Sequence, residues 1–223
     1  MEEIKMGYSH YWYRKPELDK EQFRQFSEDC QKLADAYEGM GLKLGNGDGE
    51  GRPKFTPDLV DFNGSQNCGH KKNDLISIPW PTANAGGINP EGDATGEWGG
   101  PISEMFGVTL ASLDSRVCNG DCSYEGFQIP QVKKLSEYDK DGMVFDCCKT
   151  AFRPYDLLVI ACLIAAKYHF GHNFKVSSDG EDQHWFDGKM LCSQVLGYGL
   201  SLKINEECEL VNETVEAPAW FPK

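Results

Sequence analysis

The sequence predicts an α/β (α+β) fold in a single domain over residues 1–223, with a mixed β-sheet, a C-terminal βαβα unit and a long Gly-rich insertion. Three observations carry this reading. Strand-like residues at 143–149, an apolar helix at 155–170 and further strand-like residues at 174–178 follow one another, which is the grammar of a βαβ unit. A 3.6-residue period runs through 19–37. With 223 residues, 40% hydrophobic and 12% aromatic, the chain is large enough for one substantial core.

The elements follow in chain order. Residues 8–14 (YSHYWYR) are dense in aromatics, suit a strand and end before Pro16. Alternation puts Tyr8, His10 and Trp12 on one face: a core wall with a satisfied imidazole, or a platform for a planar group. The helix over 19–37 repeats Phe23, Phe26, Cys30, Leu33, Ala34 and Tyr37 at spacings of three and four, and Gly39 and Gly41 end it. Residues 45–53 (GNGDGEGRP) read as a flexible loop, which lacks the terminal Glu of a calcium-binding EF-hand. Residues 59–63 form a short strand closed by Gly64. From 65 to 134 the sequence reads as a loop-rich insertion, with six glycines between 82 and 101 and one candidate strand at 124–129.

Periodicity returns afterwards. The strand at 143–149 and the one at 174–178 are expected to pair in parallel through a right-handed crossover. Ten successive apolar residues, 157–166, leave the helix between them without a polar face, so it belongs inside. A second helix over 182–196 stops at Gly197, with Ser178 or Asp179 as a candidate cap. An edge strand at 200–204 and a peripheral acidic tail at 205–223 complete the chain.

Charge and cysteine usage narrow the function. A net charge of −13 and a pI near 4.8 argue against direct nucleic-acid binding, which needs an excess of Lys and Arg. The start MEEIKMGYSHYWYRK has no apolar signal core, and ten apolar residues are about half a membrane span. A cytoplasmic protein with no membrane partner is the expectation, its nine scattered cysteines mostly reduced thiols.

The candidate site gathers around Lys149, Thr150 and Arg153, just ahead of Pro154, a residue favoured at the first helical position. A helix N-terminus exposes unpaired N–H groups and favours anions, and cationic side chains add to that field. His10, Lys149, Thr150, Arg153, Tyr155 and Asp179 are the expected lining. The bland alternative has Arg153 paired with Asp156 and Lys149 in solvent. The preferred function is binding of a small anionic ligand such as a nucleotide or phosphorylated metabolite, with sequestration of it as the expected use. One alternative is a hydrolase or transferase using the same pocket, with His10 or Asp179 as general base. Another is an acidic interaction protein that binds a host factor.

Two cysteine groups invite other chemistry. Cys68-Gly-His70 and Cys118-Asn-Gly-Asp-Cys122 supply three thiols and an imidazole, a permissible zinc set. Ordinary buried thiols are the simpler reading, so no metal is assigned, and a Cys118–Cys122 disulfide is a lesser alternative. Cys147-Cys148 lies beside Lys149 and the helix start, both of which favour a reactive thiolate.

The opening Met6-Gly7-Tyr8-Ser9-His10-Tyr11-Trp12 resembles the MGYTHYW-like start of uncharacterised small proteins of bacteriophages and bacteria. Cys148-Lys149-Thr150-Ala151, Arg153-Pro154-Tyr155-Asp156 and Val176-Ser177-Ser178-Asp179-Gly180 are similar to the C-terminal pattern of that family, and Asp61-Phe62-Asn63-Gly64 to a middle element. The resemblance implies a viral or prokaryotic accessory protein with an intracellular site of action, and it carries over no catalytic residue. Ser9 stands where the pattern has Thr, and the Gly-rich middle is enlarged.

Overall fold

The computed structural model describes residues 8–76 and 116–212. The Gly-rich stretch at 82–101, Met6-Gly7 and the tail beyond 212 lie outside them. The chain is α+β, with three α-helices and several small antiparallel sheets among the described residues.

Strand β1 (Ser9–Arg14) is the centre of the first sheet. It pairs antiparallel with β8 (Val144–Lys149) on one side and β9 (Phe174–Ser178) on the other. The predicted direct parallel pairing of those two outer strands therefore does not form. β1 occupies the slot between them, and the crossover helix joins strands that skip one position. All ladders among the described residues are antiparallel, so the sheet is not mixed there. The register aligns His10 with Cys148 and with Ser178, which puts all three on one row.

Helix α1 (Lys20–Gly39) starts at Asp19, whose carboxylate accepts from the N–H groups of Glu21 at 3.0 Å and Gln22 at 2.9 Å. Its apolar stripe from Phe23 to Tyr37 is buried, and its outer face carries the Arg24 pairs with Glu21 and Glu28. Helix α2 (Asp156–Phe170) has every residue from Leu157 to Ala166 at 0% exposure. It packs between α1, β9 and helix α3 (Phe186–Leu196). Each fully buried Leu, Ile or Val contributes about 1.5–3 kcal/mol, which makes α2 the thermodynamic centre of the domain. The approach of α3 depends on Gly188, where an added Cβ would lie 2.2 Å from Ile160 Cγ2.

The second sheet orders β2 (Leu44–Gly45), β4 (Leu59–Gly64) and β3 (Lys54–Thr56), with β7 (Phe127–Pro130) also paired to β4. Strands β5 (Lys72–Ile76) and β6 (Arg116–Asn119) form a separate antiparallel pair. The expected loop-rich insertion at 65–134 thus supplies three strands among its described residues, one of them integral to the second sheet. The loop at 45–53 is ordered by Asn46, whose side-chain oxygen accepts from Asp48 and Glu50 backbone N–H groups. The expected tail is not wholly peripheral either. Strand β11 (Leu210–Asn212) pairs with β10 (Leu202–Ile204), Leu210 is buried, and Glu209 bridges to Ser177. Neither Ser178 nor Asp179 caps the helical segment after β9. Its 3₁₀ turn (Asp182–Trp185) is capped reciprocally by Glu181 and His184.

Candidate functional site

The turn between β8 and α2 contributes to two separate centres. Ala151 and Phe152 both have positive φ, 50° and 54°, a region that L side chains disfavour. Tyr8 holds the turn from outside: its carbonyl accepts from the N–H groups of Thr150 and Ala151, and its ring lies 3.8 Å from that of Phe152. This sharp turn leaves Thr150 and Asp156 wholly buried, while Lys149 and the 8% exposed Arg153 meet at the Tyr124 ring instead.

Inward lies a buried ion network. His10 Nε2 is 2.8 Å from Asp156 Oδ1, and Thr150 Oγ1 donates to the same oxygen at 2.6 Å. His10 Nδ1 is 3.0 Å from Ser178 Oγ. Arg116, entering from β6, places its NH2 3.0 Å from Asp156 Oδ2 and 2.8 Å from Asp187 Oδ2. These two contacts are ionic rather than directed: Arg116 Nε and NH2 and both carboxylate oxygens lack a hydrogen bond of good geometry. The guanidinium also sits 5.3 Å over the Phe152 ring.

One cation between two carboxylates cannot satisfy both equally. Burial pushes the Asp156 carboxyl up, but Arg116 and the His10 and Thr150 hydrogen bonds outweigh it, and the net direction is down. Asp187 goes the other way, because burial and the charge of Asp156 exceed the help from Arg116. His10 is 0% exposed, so its imidazole serves the network and has no path to a solvent-borne ligand.

This arrangement corrects the expected anion pocket. The N-terminus of α2 does favour a negative charge, but Asp156, the first residue of the helix, supplies it internally. His10 and Thr150 are spent on that carboxylate. Tyr155 is buried, and its hydroxyl donates to the Glu125 carbonyl at 2.7 Å. Asp179 accepts from the Ser9 N–H at 3.0 Å and from the Tyr11 hydroxyl at 3.2 Å, which ties it to β1. The six predicted residues do not share one cleft.

Lys149 and Arg153, however, do come together. Lys149 Nζ lies 5.6 Å, and Arg153 Cζ 5.8 Å, from the centroid of the Tyr124 ring. That ring is 46% exposed. Arg153 NH1 donates to the Asp121 carbonyl at 2.9 Å, and among the described residues neither cation has a carboxylate within ion-pair distance. The bland pairing of Arg153 with Asp156 is thus replaced, because Arg116 already occupies that carboxylate.

Tyr124 was not singled out in the sequence, nor was the residue that fixes it. Asn63 donates to the carbonyls of Gly47 at 3.0 Å and Tyr124 at 3.1 Å, and accepts from the Tyr124 N–H at 3.1 Å. Asn63 belongs to the Asp61-Phe62-Asn63-Gly64 segment, which was the available signal. Its neighbour Gly64 passes so close to the following loop that an added Cβ would meet the Cys122 carbonyl oxygen at 1.9 Å.

The vicinal cysteines are not activated. Burial, reinforced by nearby carboxylates, pushes the thiols of both Cys147 and Cys148 up, so neither gains thiolate character from Lys149. The other cysteine group converges: the donor atoms of Cys68, His70, Cys118 and Cys122 all lie within 4.8 Å of one another. All nine cysteines are free, which rules out the Cys118–Cys122 disulfide in this structure. No helix among the described residues is long and apolar enough to cross a membrane. Comparison of the chain with protein-family models, with curated proteins and with solved structures found no match.

Proposed function

We propose that the chain binds a small anionic ligand, a nucleotide or phosphorylated metabolite, at the Lys149–Arg153–Tyr124 surface. One observation carries this reading: two cations face the same half-exposed aromatic ring with no carboxylate partner among the described residues. A phosphate between them would receive a point charge from Lys149 and a directed N–H from Arg153, while the ring edge offers apolar area to the rest of the ligand. The buried state of His10 and the ties of Asp179 to β1 favour binding over a reaction using either as general base. The resemblance at both ends of the chain supports a phage accessory role in which such a ligand is sequestered.

Thermal unfolding with inorganic phosphate and a nucleotide panel tests this, since a ligand of the native state raises its stability by RT ln(1 + [L]/Kd). The expected result is a concentration-dependent rise that Lys149→Ala and Arg153→Ala each remove. No rise with any of them overturns the reading. Intact ligand recovered after denaturation supports sequestration, and converted product supports the enzyme alternative.

A second reading, an acidic protein that binds a host factor, draws on the outer face of β1 and β8. Tyr13 and Phe145 are 41% and 42% exposed there, with ring centroids 5.0 Å apart. A protein partner whose binding is lost in Tyr13→Ala and Phe145→Ala, but kept in Lys149→Ala, would support it.

A further inference from the structure

The cluster of Cys68, His70, Cys118 and Cys122 has a geometry that packing alone does not explain. Cys68 Sγ lies 3.6 Å from Cys118 Sγ, and Cys118 Sγ lies 3.5 Å from Cys122 Sγ. His70 Nδ1 is 3.2 Å from Cys122 Sγ. A disulfide has its sulfurs about 2.05 Å apart, so no pair here is bonded. A tetrahedral zinc with Zn–S of about 2.3 Å and Zn–N of about 2.0–2.1 Å has edges of roughly 3.8 Å between sulfurs and roughly 3.5 Å between nitrogen and sulfur. The observed separations fall within a few tenths of an ångström of those edges.

The chemistry of the set points the same way. Thiols are weak donors and weak acceptors, so three of them gain little by turning towards one another. Buried cysteines that serve only as small hydrophobes have no reason to gather an imidazole nitrogen into their midst. Cys68, Cys118 and Cys122 are at most 6% exposed, and His70 closes the group on its outer side.

The backbone is shaped to deliver these four atoms to one point. The single residue between Cys68 and His70 is Gly69, at φ 90°, a reversal that an L side chain resists. Gly120, at φ 95°, makes the corresponding turn between Cys118 and Cys122. The His70 N–H lies 3.5 Å from Cys68 Sγ, the kind of backbone donor that supports a coordinating thiolate. The two pairs meet at one end of the β5–β6 ladder, where Lys72 faces Asn119: Cys68 and His70 precede β5, Cys118 lies on β6, and Cys122 follows it. A two-stranded pair is marginal without further anchoring, and a metal closing its base supplies that anchor.

We propose that Cys68, His70, Cys118 and Cys122 bind one zinc ion in a closed, four-coordinate structural site. Three thiolates and an imidazole select zinc over magnesium or calcium, which take oxygen ligands. Four protein ligands leave no open position for a substrate, so the ion holds the fold and does not perform a reaction. What it holds is specific. Arg116, two residues before Cys118, is the cation of the buried network, and Asp121, one residue before Cys122, receives Arg153. Tyr124 follows two residues after Cys122. The ion would therefore set the position of both charged centres, and this proposal stands whether or not the surface one binds an anion.

The test is elemental analysis of the full chain purified without chelator, followed by removal of the metal and titration with cobalt. One zinc per chain is expected, together with the thiolate-to-cobalt charge-transfer absorption and intense visible bands of tetrahedral cobalt. Cys118→Ser and Cys122→Ser should lose the metal, whereas Cys147→Ser and Cys208→Ser, which alter exposed thiols away from the cluster, should keep it. If the cluster variants do not fold, the wild-type stoichiometry and cobalt spectrum still decide. Wild-type protein that takes up no zinc on reconstitution, cobalt spectra without thiolate bands, or iron in place of zinc would each overturn the proposal.

Discussion

Two cationic centres lie on either side of the same strained turn, and they treat charge in opposite ways. Arg116 is 1% exposed and held between Asp156 and Asp187, whereas Lys149 and Arg153 share an exposed tyrosine and form no ion pair among the described residues. The counter-ions make the difference. A charge removed from water must find its counter-ion inside the chain, so the Arg116 network is closed and belongs to the architecture. Lys149 is half-buried and Arg153 only 8% exposed, yet they meet the Tyr124 ring and the Asp121 carbonyl without an ion pair among the described residues, so their charge remains available to an external anion.

The largest effect should come from breaking the closed centre. Arg116→Met keeps most of the volume but strands two buried carboxylates, and losing one partner of a buried pair costs about 3–5 kcal/mol. Urea unfolding measures it. A loss no greater than that of a surface substitution would mean that the network is wet and the comparison false.

Next comes the core beneath the turn. Leu158→Ala in α2 should cost about 2–5 kcal/mol through lost burial and a residual cavity, since Leu158 is wholly enclosed. Gly188→Ala probes the same packing from α3 by overfilling it, with an expected cost of about 1–3 kcal/mol. Equal and negligible losses in both would remove α2 from the centre of the domain.

How far the sequence reached follows from what each signal depends on. The ten-residue apolar run named α2, and the 3.6-residue period named the buried face of α1, because both are local consequences of partitioning into a core. Strand order is not local. Nothing in residues 143–178 reveals that β1, some 130 residues upstream, lies between β8 and β9. The same limit divided the candidate site. Lys149 and Arg153 were legible as cations ahead of a helix start, but their common partner Tyr124 depends on Asn63, which is far away in sequence. His10 was legible as an imidazole on an aromatic strand face and Thr150 as part of a polar turn, but only the fold shows that Asp156 claims both. Gly69 and Gly120 were in plain view, yet the convergence they permit is a property of the β5–β6 pairing.

The two carboxylates of the closed centre can be separated by acid. Asp156 has a lowered folded-state pKa, so its contribution is present above the unfolded value of about 3.9 and is lost as pH falls through the lowered one. Asp187 has a raised pKa, so its contribution is present below the unfolded value and is lost as pH rises through the raised one. On acidification Asp187 therefore partly offsets the loss from Asp156. Asp187→Asn should show a steeper fall of stability from neutral pH towards pH ~4, and Asp156→Asn a shallower fall below that, in urea midpoints across the range. Parallel curves for all three proteins would mean that the carboxylates are not differentiated by Arg116.

The smallest structural effect belongs to the open centre, and there smallness is the point. Lys149 makes no ion pair among the described residues, and its contact with Tyr124 is a half-exposed cation–π interaction worth about 0.5–1 kcal/mol. Lys149→Ala should accordingly leave the unfolding free energy within about 1 kcal/mol of the parent protein in urea. The same variant should lose the phosphate-induced rise in melting temperature. Arg153→Lys, which keeps the charge but loses the directed N–H to the Asp121 carbonyl, should retain part of that rise. A large stability loss in Lys149→Ala with an unchanged phosphate response would show that this cation, like Arg116, serves the fold, and the contrast between the two centres would collapse.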